Sequence, residues 1–305
     1  MTPLLKWVGG KRQLLPQIRR FYPKTFGRYI EAFLGSGAVF FDLHASGRLQ
    51  DHDVVLIDSN ADLIGCYEML RDETAAVGDA LERLAAGHAR DGRAHYFTVR
   101  DERFNRLRAE RRSDEGRIAY TPELAAMLIY LNRTGFNGLF RLNKRGAFNV
   151  PPGRYERPRI ADRSKLARVA DALASSRVRL VWGGFERARD FAEGGDFLYF
   201  DPPYAPLSRT ANFTSYTSPR FDAADHVRLQ QVVVELATRG CAVLVSNSTA
   251  AEIGALYERS ADAHTAGLHA FRVAARRAVN SKASRRGPVD EFLITNIQAP
   301  ATQTS

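Results

Sequence analysis

The chain is expected to fold as an α/β protein with a mostly parallel sheet, interrupted by an inserted helical segment that ends in a hairpin. Three observations predict this. Short apolar runs such as Val54 to Ile57 and Phe197 to Phe200 alternate with helical periodicities toward both ends of the chain. The stretch from about Ala61 to Thr134 carries helical patterns only. Between Gly135 and Arg159 the chain turns rich in Gly, Pro and Asn, the composition of a hairpin or ordered loop.

Taken in order, Tyr29 to Phe33 reads as a short strand and Ala38 to Ser46 as a helix closed by Gly47. Asp53 to Asp58 is a second buried strand, followed by a helix with Leu63, Ile64, Tyr67 and Leu70 on one face. That succession begins a βαβ unit, which predicts parallel pairing. The helical middle includes a charge-rich stretch, Arg100 to Arg117, expected to be a solvated helix face, and an apolar helix from Pro122 to Leu131. Strands resume at Val178 to Trp182, Phe197 to Phe200 and Ala242 to Ser246, with a helix from Ala223 to Thr238 stopped by Gly240. Leu268 to Ala274 and Glu291 to Ile297 are expected to pair antiparallel at the sheet edge. The predicted division is therefore 1–60 with 160–305 as one domain and 61–159 as an insertion holding the hairpin 135–159.

The 305 residues carry 44 Lys and Arg against 34 Asp and Glu, a net charge of 44 − 34 = +10. Such a surplus fits an anionic partner, nucleic acid above all, or simply a basic soluble surface, and its clustering decides between them. Seven Lys or Arg face one acid, Glu156, between Arg133 and Arg159; six basic residues and no acid lie between Phe271 and Arg286. Clusters of that kind suit phosphate contacts. The only cysteines, Cys66 and Cys241, stand far apart without a paired motif, which argues against a disulfide scaffold or zinc site and for a reducing compartment. No apolar run is long enough to span a membrane and no signal-like start is present, so a cytoplasmic protein is expected.

Three motifs carry chemistry. Glu31-Ala32-Phe33-Leu34-Gly35-Ser36-Gly37 joins a strand to a helix, and its glycines allow a tight turn and close approach of a ligand. Asp58 ends the next strand, where an acid can accept from ribose hydroxyls. A structural turn explains the loop equally well. Phe40 stands where the third glycine of a dinucleotide fingerprint belongs, which counts against a nicotinamide dehydrogenase. Lys6-Trp7-Val8-Gly9-Gly10-Lys11 is not a phosphate loop of the Walker type, since Arg12 stands where Ser or Thr should hold magnesium. Trp7 is suited to cover a planar ligand and Lys11 to meet a carboxylate, with Trp7 in the core as the alternative.

The third motif, Asp201-Pro202-Pro203-Tyr204, closes the fourth predicted strand, where ligands of α/β sheets gather. Two prolines stiffen the backbone and fix the directions of Asp201 and Tyr204. An exocyclic amino group attacks poorly because its lone pair is spread into the base ring. Acceptors on its two hydrogens, the Asp201 carboxylate and the Pro202 carbonyl, localise that pair, and Tyr204 can stack on the ring. This is electrostatic preorganisation rather than base catalysis.

With these residues in this order, the sequence resembles the Dam-type, D12-class DNA adenine-N6 methyltransferases. The resemblance runs over nearly the whole chain. It includes Asn132-Arg133, Phe136 to Tyr155, Ala205 to Ser208 and Thr210 to Phe213, with Ala32 where many relatives have proline and Phe136 where a hydroxylated aromatic is common. It implies the S-adenosylmethionine-dependent methyltransferase fold, with 61–159 as target-recognition insertion. It further implies S-adenosylmethionine as methyl donor, S-adenosylhomocysteine as product, no metal, and an adenine of double-stranded DNA, in GATC, flipped out for reaction. By position, Trp7, Lys11, Phe33, Gly35, Gly37, Asp58 and Asp201 would bind the donor. Asp201, Pro202 and Tyr204 would carry the reaction. DNA would be met by Phe136, Asn137, Leu139, Arg141, Pro151, Arg154, Tyr155, Arg276 and Arg277. In the hairpin, Arg141 suits guanine through two hydrogen bonds, and Phe136 suits a wedge between base pairs.

A monomer in the cytoplasm, at a bacterial nucleoid or in a phage-infected cell, completes the expectation. Its rivals are an amino-methyltransferase on cytosine N4 or RNA, and a DNA-binding homologue without activity.

Overall fold

The computed structural model describes residues 3–7, 9–206, 221–276 and 288–298, with backbone alone at 275, 276, 288 and 289. Two compact units are present: 1–10, 35–48 and 58–183 make the first, and 11–34, 49–57 and 184–305 the second. The segment 61–159 lies wholly within the first unit.

The strands, in chain order, are β1 (Tyr29–Ala32), β2 (Val54–Asp58), β3 (Val178–Trp182), β4 (Phe197–Phe200), β5 (Ala242–Ser248), β6 (His269–Arg276) and β7 (Pro288–Thr295). In the second unit the order is β2-β1-β4-β5-β7-β6. β1 pairs parallel with β2 and with β4, and β4 parallel with β5, while β7 runs antiparallel to both β5 and β6. Every residue of β1 and of β4 is buried, as strands covered on both faces require, so their sequences are continuous apolar runs rather than alternations. The helix Ala223–Thr238 starts on a reciprocal cap between Asp222 and Asp225 and buries Leu229, Val232, Val233 and Leu236.

From β1 the chain proceeds to β2 on one side, whereas β4 lies on the other. Such a reversal opens a crevice at the carboxyl ends of the strands. Ala32 is in register with Phe200, so Phe33 and Asp201 both emerge there.

The first unit is mostly helical. Asn60 caps the helix Ala61–Asp72 by accepting from the backbone N–H groups of Asp62 and Leu63. A helical run Thr74–Phe97 follows, interrupted at Gly92, where φ 49° and ψ −116° are non-helical. A π-helical turn, Thr98–Phe104, leads into the helix Asn105–Glu110. The helix Pro122–Thr134 begins on a Thr121 cap with proline in its first turn, and almost its whole length is buried.

The charge-rich stretch departs from its expectation. Helix ends at Glu110, and Arg112 and Ile118 then form an isolated antiparallel bridge. Nor is the helix wholly solvated. Arg108 is buried and forks onto both oxygens of Asp62, at 2.7 and 2.8 Å, beside the Tyr120 hydroxyl. A charge count along the sequence cannot tell a solvated arginine from one whose partner lies 46 residues away.

Among the described residues no helix is long and apolar enough to cross a membrane, and no group of His, Cys, Asp or Glu is placed to hold a metal ion.

Candidate functional site

At the end of β4, in the second unit, the Asp201 carboxylate is held on two sides. Lys11 forms an ion pair with its Oδ1 at 2.6 Å, and Ser246 on β5 donates a hydrogen bond to the same oxygen at 2.9 Å. Ser246 is in turn 3.0 Å from the Tyr199 hydroxyl. Burial pushes the Asp201 pKa up, opposed by the Lys11 ammonium and the Ser246 hydroxyl. The net shift is upward.

Tyr204 lies three residues on, and its hydroxyl donates to Glu291 Oε2 of β7 at 2.7 Å. Lys11 Nζ stands 4.4 Å from the centroid of the Tyr204 ring, a cation–π contact. Burial, then the Asp201 and Glu291 carboxylates, raise the phenol well above an ordinary tyrosine. The phenol stays protonated. Phe33, at φ 66°, turns the chain out of β1 and packs its ring on Phe185 at 5.4 Å and on Phe221 at 5.5 Å.

In the first unit, Gly35 and Gly37 both adopt left-handed φ, 50° and 66°. A Cβ on Gly35 would meet Trp7 Cδ1 at 3.0 Å, so the loop needs glycine for space as well as for conformation. The backbone N–H of Gly35 donates to one oxygen of Asp58 at 2.9 Å, and that of Asn60 to the other at 2.8 Å. Each oxygen keeps a lone pair for a further donor. Burial raises the Asp58 pKa against these two hydrogen bonds. Trp7 is half-buried and stacks on Phe140, centroids 5.8 Å apart and planes 23° apart.

The hairpin 135–159, also in the first unit, is anchored from behind. Arg108 donates to the Gly146 carbonyl at 2.7 Å; Asn105 donates to the Phe148 carbonyl and accepts from its N–H; Tyr96 and Arg100 both donate to the Val150 carbonyl. Side chains before and after these anchors are mostly exposed. Phe136 is 47% exposed and Tyr155 38%, and Asn137, Arg141, Pro151 and Arg154 are exposed as well, while Leu139 is half-buried. Asn137 adopts φ 53°. Arg141 donates through Nε to Asn149 Oδ1 at 2.7 Å and through a terminal nitrogen to the Asn149 carbonyl at 3.2 Å. Lys6 Nζ lies 4.3 Å from the Tyr155 ring centroid.

A family model described as D12 class N6 adenine-specific DNA methyltransferase matches residues 7–273. The chain belongs to that family. The type II methyltransferase M1.LlaDCHI of Lactococcus lactis subsp. cremoris is 36% identical over 298 residues, 97% of this chain and 95% of that protein. The type II methyltransferase M.MjaIII of Methanocaldococcus jannaschii is 36% identical over 310 residues, 97% and 99% of the two. The DNA adenine methylase of Escherichia coli (strain K12) is 34% identical over 289 residues, 95% and 93%. This chain is thus an adenine-specific DNA methyltransferase, and DNA is its substrate.

Among the residues expected for this methyltransferase, Lys11, Asp201 and Tyr204 come together in one cluster, and Trp7, Gly35 and Asp58 in a second. Arg276 is described by its backbone alone, and Arg277 and 207–213 fall outside the described residues. Within the Phe271 to Arg286 cluster, the Arg272 charge is answered by Glu258 at 2.9 Å. Ser246, Glu291 and Asn149 carry no signal in the sequence. Ser246 and Glu291 lie inside strand-like runs whose period gives no reason to single them out.

Proposed function

We propose that this methyltransferase transfers a methyl group from S-adenosylmethionine to N6 of an adenine flipped out of double-stranded DNA, in the sequence GATC. The observation that carries the reading is the end of β4, where a carboxylate, a carbonyl from a proline and a protonated phenol follow one another at fixed directions. Asp201 and the Pro202 carbonyl accept the two N6 hydrogens and return the lone pair to nitrogen, and Tyr204 stacks on the base. A phenol kept neutral suits stacking, because a phenolate beside Asp201 would add a second negative charge.

Trp7, Lys11, Phe33, Gly35, Gly37, Asp58 and Asp201 are proposed to hold the methyl donor. The residues fit such a molecule: each Asp58 oxygen retains a lone pair for a ribose hydroxyl, and Gly35 lets the Trp7 ring lie close over the loop. When bound, S-adenosylmethionine supplies an electrophilic methyl on a sulfonium. Lys11 is suited to the carboxylate of its amino-acid part.

The segment 61–159 is the target-recognition region in this reading, within a catalytic domain made of 1–60 and 160–305. Phe136, Asn137, Leu139, Arg141, Pro151, Arg154 and Tyr155 meet DNA from the hairpin, and Arg276 and Arg277 contact phosphates. The exposure of most of these hairpin side chains on an anchored backbone supports that assignment. The enzyme acts as a monomer in the cytoplasm of a bacterium or a phage-infected cell; bacterial and phage methylases stand among its relatives.

Plasmid from cells expressing the protein, digested with enzymes blocked by or dependent on GATC adenine methylation, tests both reaction and site. Protection at GATC is expected, and Asp201→Ala is expected to remove it. Methylated adenine at other sequences with GATC still cleaved would overturn the site assignment.

A further inference from the structure

We infer that Glu291 is a positioning residue for methyl transfer, holding the plane of the Tyr204 ring against which the target base stacks. The inference rests on the stacking role proposed above for Tyr204.

Two prolines fix the backbone before Tyr204, but they leave the side chain free to swing about its own bonds. Something else must hold the ring. Its hydroxyl donates to Glu291 Oε2 at 2.7 Å, a bond to a charged acceptor and so among the stronger ones available to a phenol. Among the described residues, that phenol is the hydrogen-bond partner found for the Glu291 carboxylate, and no cation is paired with it. A carboxylate whose bond among the described residues runs to a phenol is suited to steer that phenol.

The placement of Glu291 serves that use. It stands on β7 opposite Ser248 of β5, two residues along from Ser246, which donates to Asp201. β5 is also the strand that pairs parallel with β4, whose end carries the motif. The two acceptors thus sit at neighbouring places in one sheet: Asp201 is aligned by Ser246 and Lys11, and Tyr204 by Glu291 at its tip and Lys11 over its face. Carboxylate and ring, the two groups that must meet one planar base, are oriented by adjacent strands.

The action through Tyr204 makes a specific demand on kinetics. If Glu291 works only by holding the phenol, removing either end of the bond has the same effect, and removing both adds nothing. Single-turnover methylation of a GATC duplex, with S-adenosylmethionine saturating, is measured for the parent and for Glu291→Ala, Glu291→Gln, Tyr204→Phe, Tyr204→Ala and the double variant Glu291→Ala with Tyr204→Phe. Glu291→Ala and Tyr204→Phe are each expected to slow the step about tenfold. The double variant is expected to be no slower than either, and Glu291→Gln, which keeps an acceptor and the shape, to recover most of the rate.

A duplex with 2-aminopurine at the target position gives a second readout. Its emission, quenched by stacking, should rise in both Glu291→Ala and Tyr204→Phe. A structural role in the sheet would leave that signal alone. Losses that multiply in the double variant, or 2-aminopurine emission unchanged in Glu291→Ala, overturn the inference. If Tyr204→Ala is as fast as the parent, the stacking role itself fails. If Tyr204→Ala is slow while Glu291→Ala runs at the parental rate, that role stands and only the inference falls.

Discussion

The strand end at Asp201 and the hairpin 135–159, the two regions proposed to carry the reaction and to meet DNA, are made firm in opposite ways. At the strand end the functional side chains hold one another: Lys11 on Asp201, Ser246 on Asp201, Glu291 on Tyr204. In the hairpin it is the backbone that is held, at Gly146, Phe148 and Val150, by side chains reaching from residues 96–108. The side chains proposed to meet DNA are mostly left exposed. The contrast follows from the tasks. Stabilising a developing charge requires acceptors that do not reorganise, which favours a buried network. Reading a groove requires donors that extend into it, which favours free side chains on a rigid carrier.

The sharpest way to break this contrast is at Arg108, which holds the hairpin carrier and also answers a buried charge. Arg108→Ala leaves Asp62 buried and unpaired, which should cost about 3–5 kcal/mol of stability. Replacing the pair together, as Asp62→Leu with Arg108→Met, should cost less. Denaturant melts of the three proteins decide it, and a loss under about 1 kcal/mol in Arg108→Ala would show that the ion pair carries little of the fold.

Asp201→Ala attacks the other side of the comparison. Methyl transfer should fall by about 10²–10³, with DNA affinity nearly unchanged in anisotropy titrations. The same residue gives a pH dependence with a definite sign. The carboxyl is a charged acceptor for the amino group only when ionised, since protonation leaves a weaker neutral acceptor, and burial holds its pKa above the ordinary aspartate range. The rate at saturating substrates should therefore drop as pH falls, with a midpoint higher than an exposed aspartate would give. Lys11→Met removes an opposing positive charge and should move that midpoint higher still. A midpoint moved downward would contradict the assignment.

Arg141→Ala sharpens the hairpin side. The Nε edge of the guanidinium rests on Asn149, which leaves its two terminal nitrogens each with a donor for the proposed guanine contact. Discrimination at one guanine position should fall by about 1–3 kcal/mol. The kcat/KM values for GATC and each singly altered site, in both proteins, test this. Equal losses at all sites would make Arg141 a backbone contact.

The smallest effect is expected from Arg276→Ala with Arg277→Ala. Every arginine that neutralises a phosphate should, once replaced, lower the salt slope of DNA binding by about one. An unchanged slope would assign this segment a role in folding.

Much of the strand end is legible in the sequence, because the spacing of a βαβ unit and two successive prolines constrain the backbone wherever they occur. β3 and β4 and the helix Ala223–Thr238 fall where the apolar periods put them. The charge-rich helix stops short of its expected end, at Glu110, since a run of charges has the same appearance in a helix and in a turn. The anchors of the hairpin are not legible at all. Asn105 and Arg100 bond to backbone atoms, and a carbonyl has no sequence signature. Glu291 lies 87 residues from Tyr204, a distance no local pattern can bridge.

The bond from Phe148 N–H to Asn105 has a consequence for motion. In an ordinary hairpin the amides are protected only by the opposite arm, and they trade hydrogen for solvent deuterium as the arms part. Here the Phe148 amide donates to the Asn105 side chain at the start of the helix Asn105–Glu110, while the arms on either side are tied to each other by Asn143 N–H to the Ala147 carbonyl and Asn149 N–H to the Arg141 carbonyl. Exchange of that amide is therefore expected to report the bond between the hairpin and the helix behind it, rather than the pairing of the two arms.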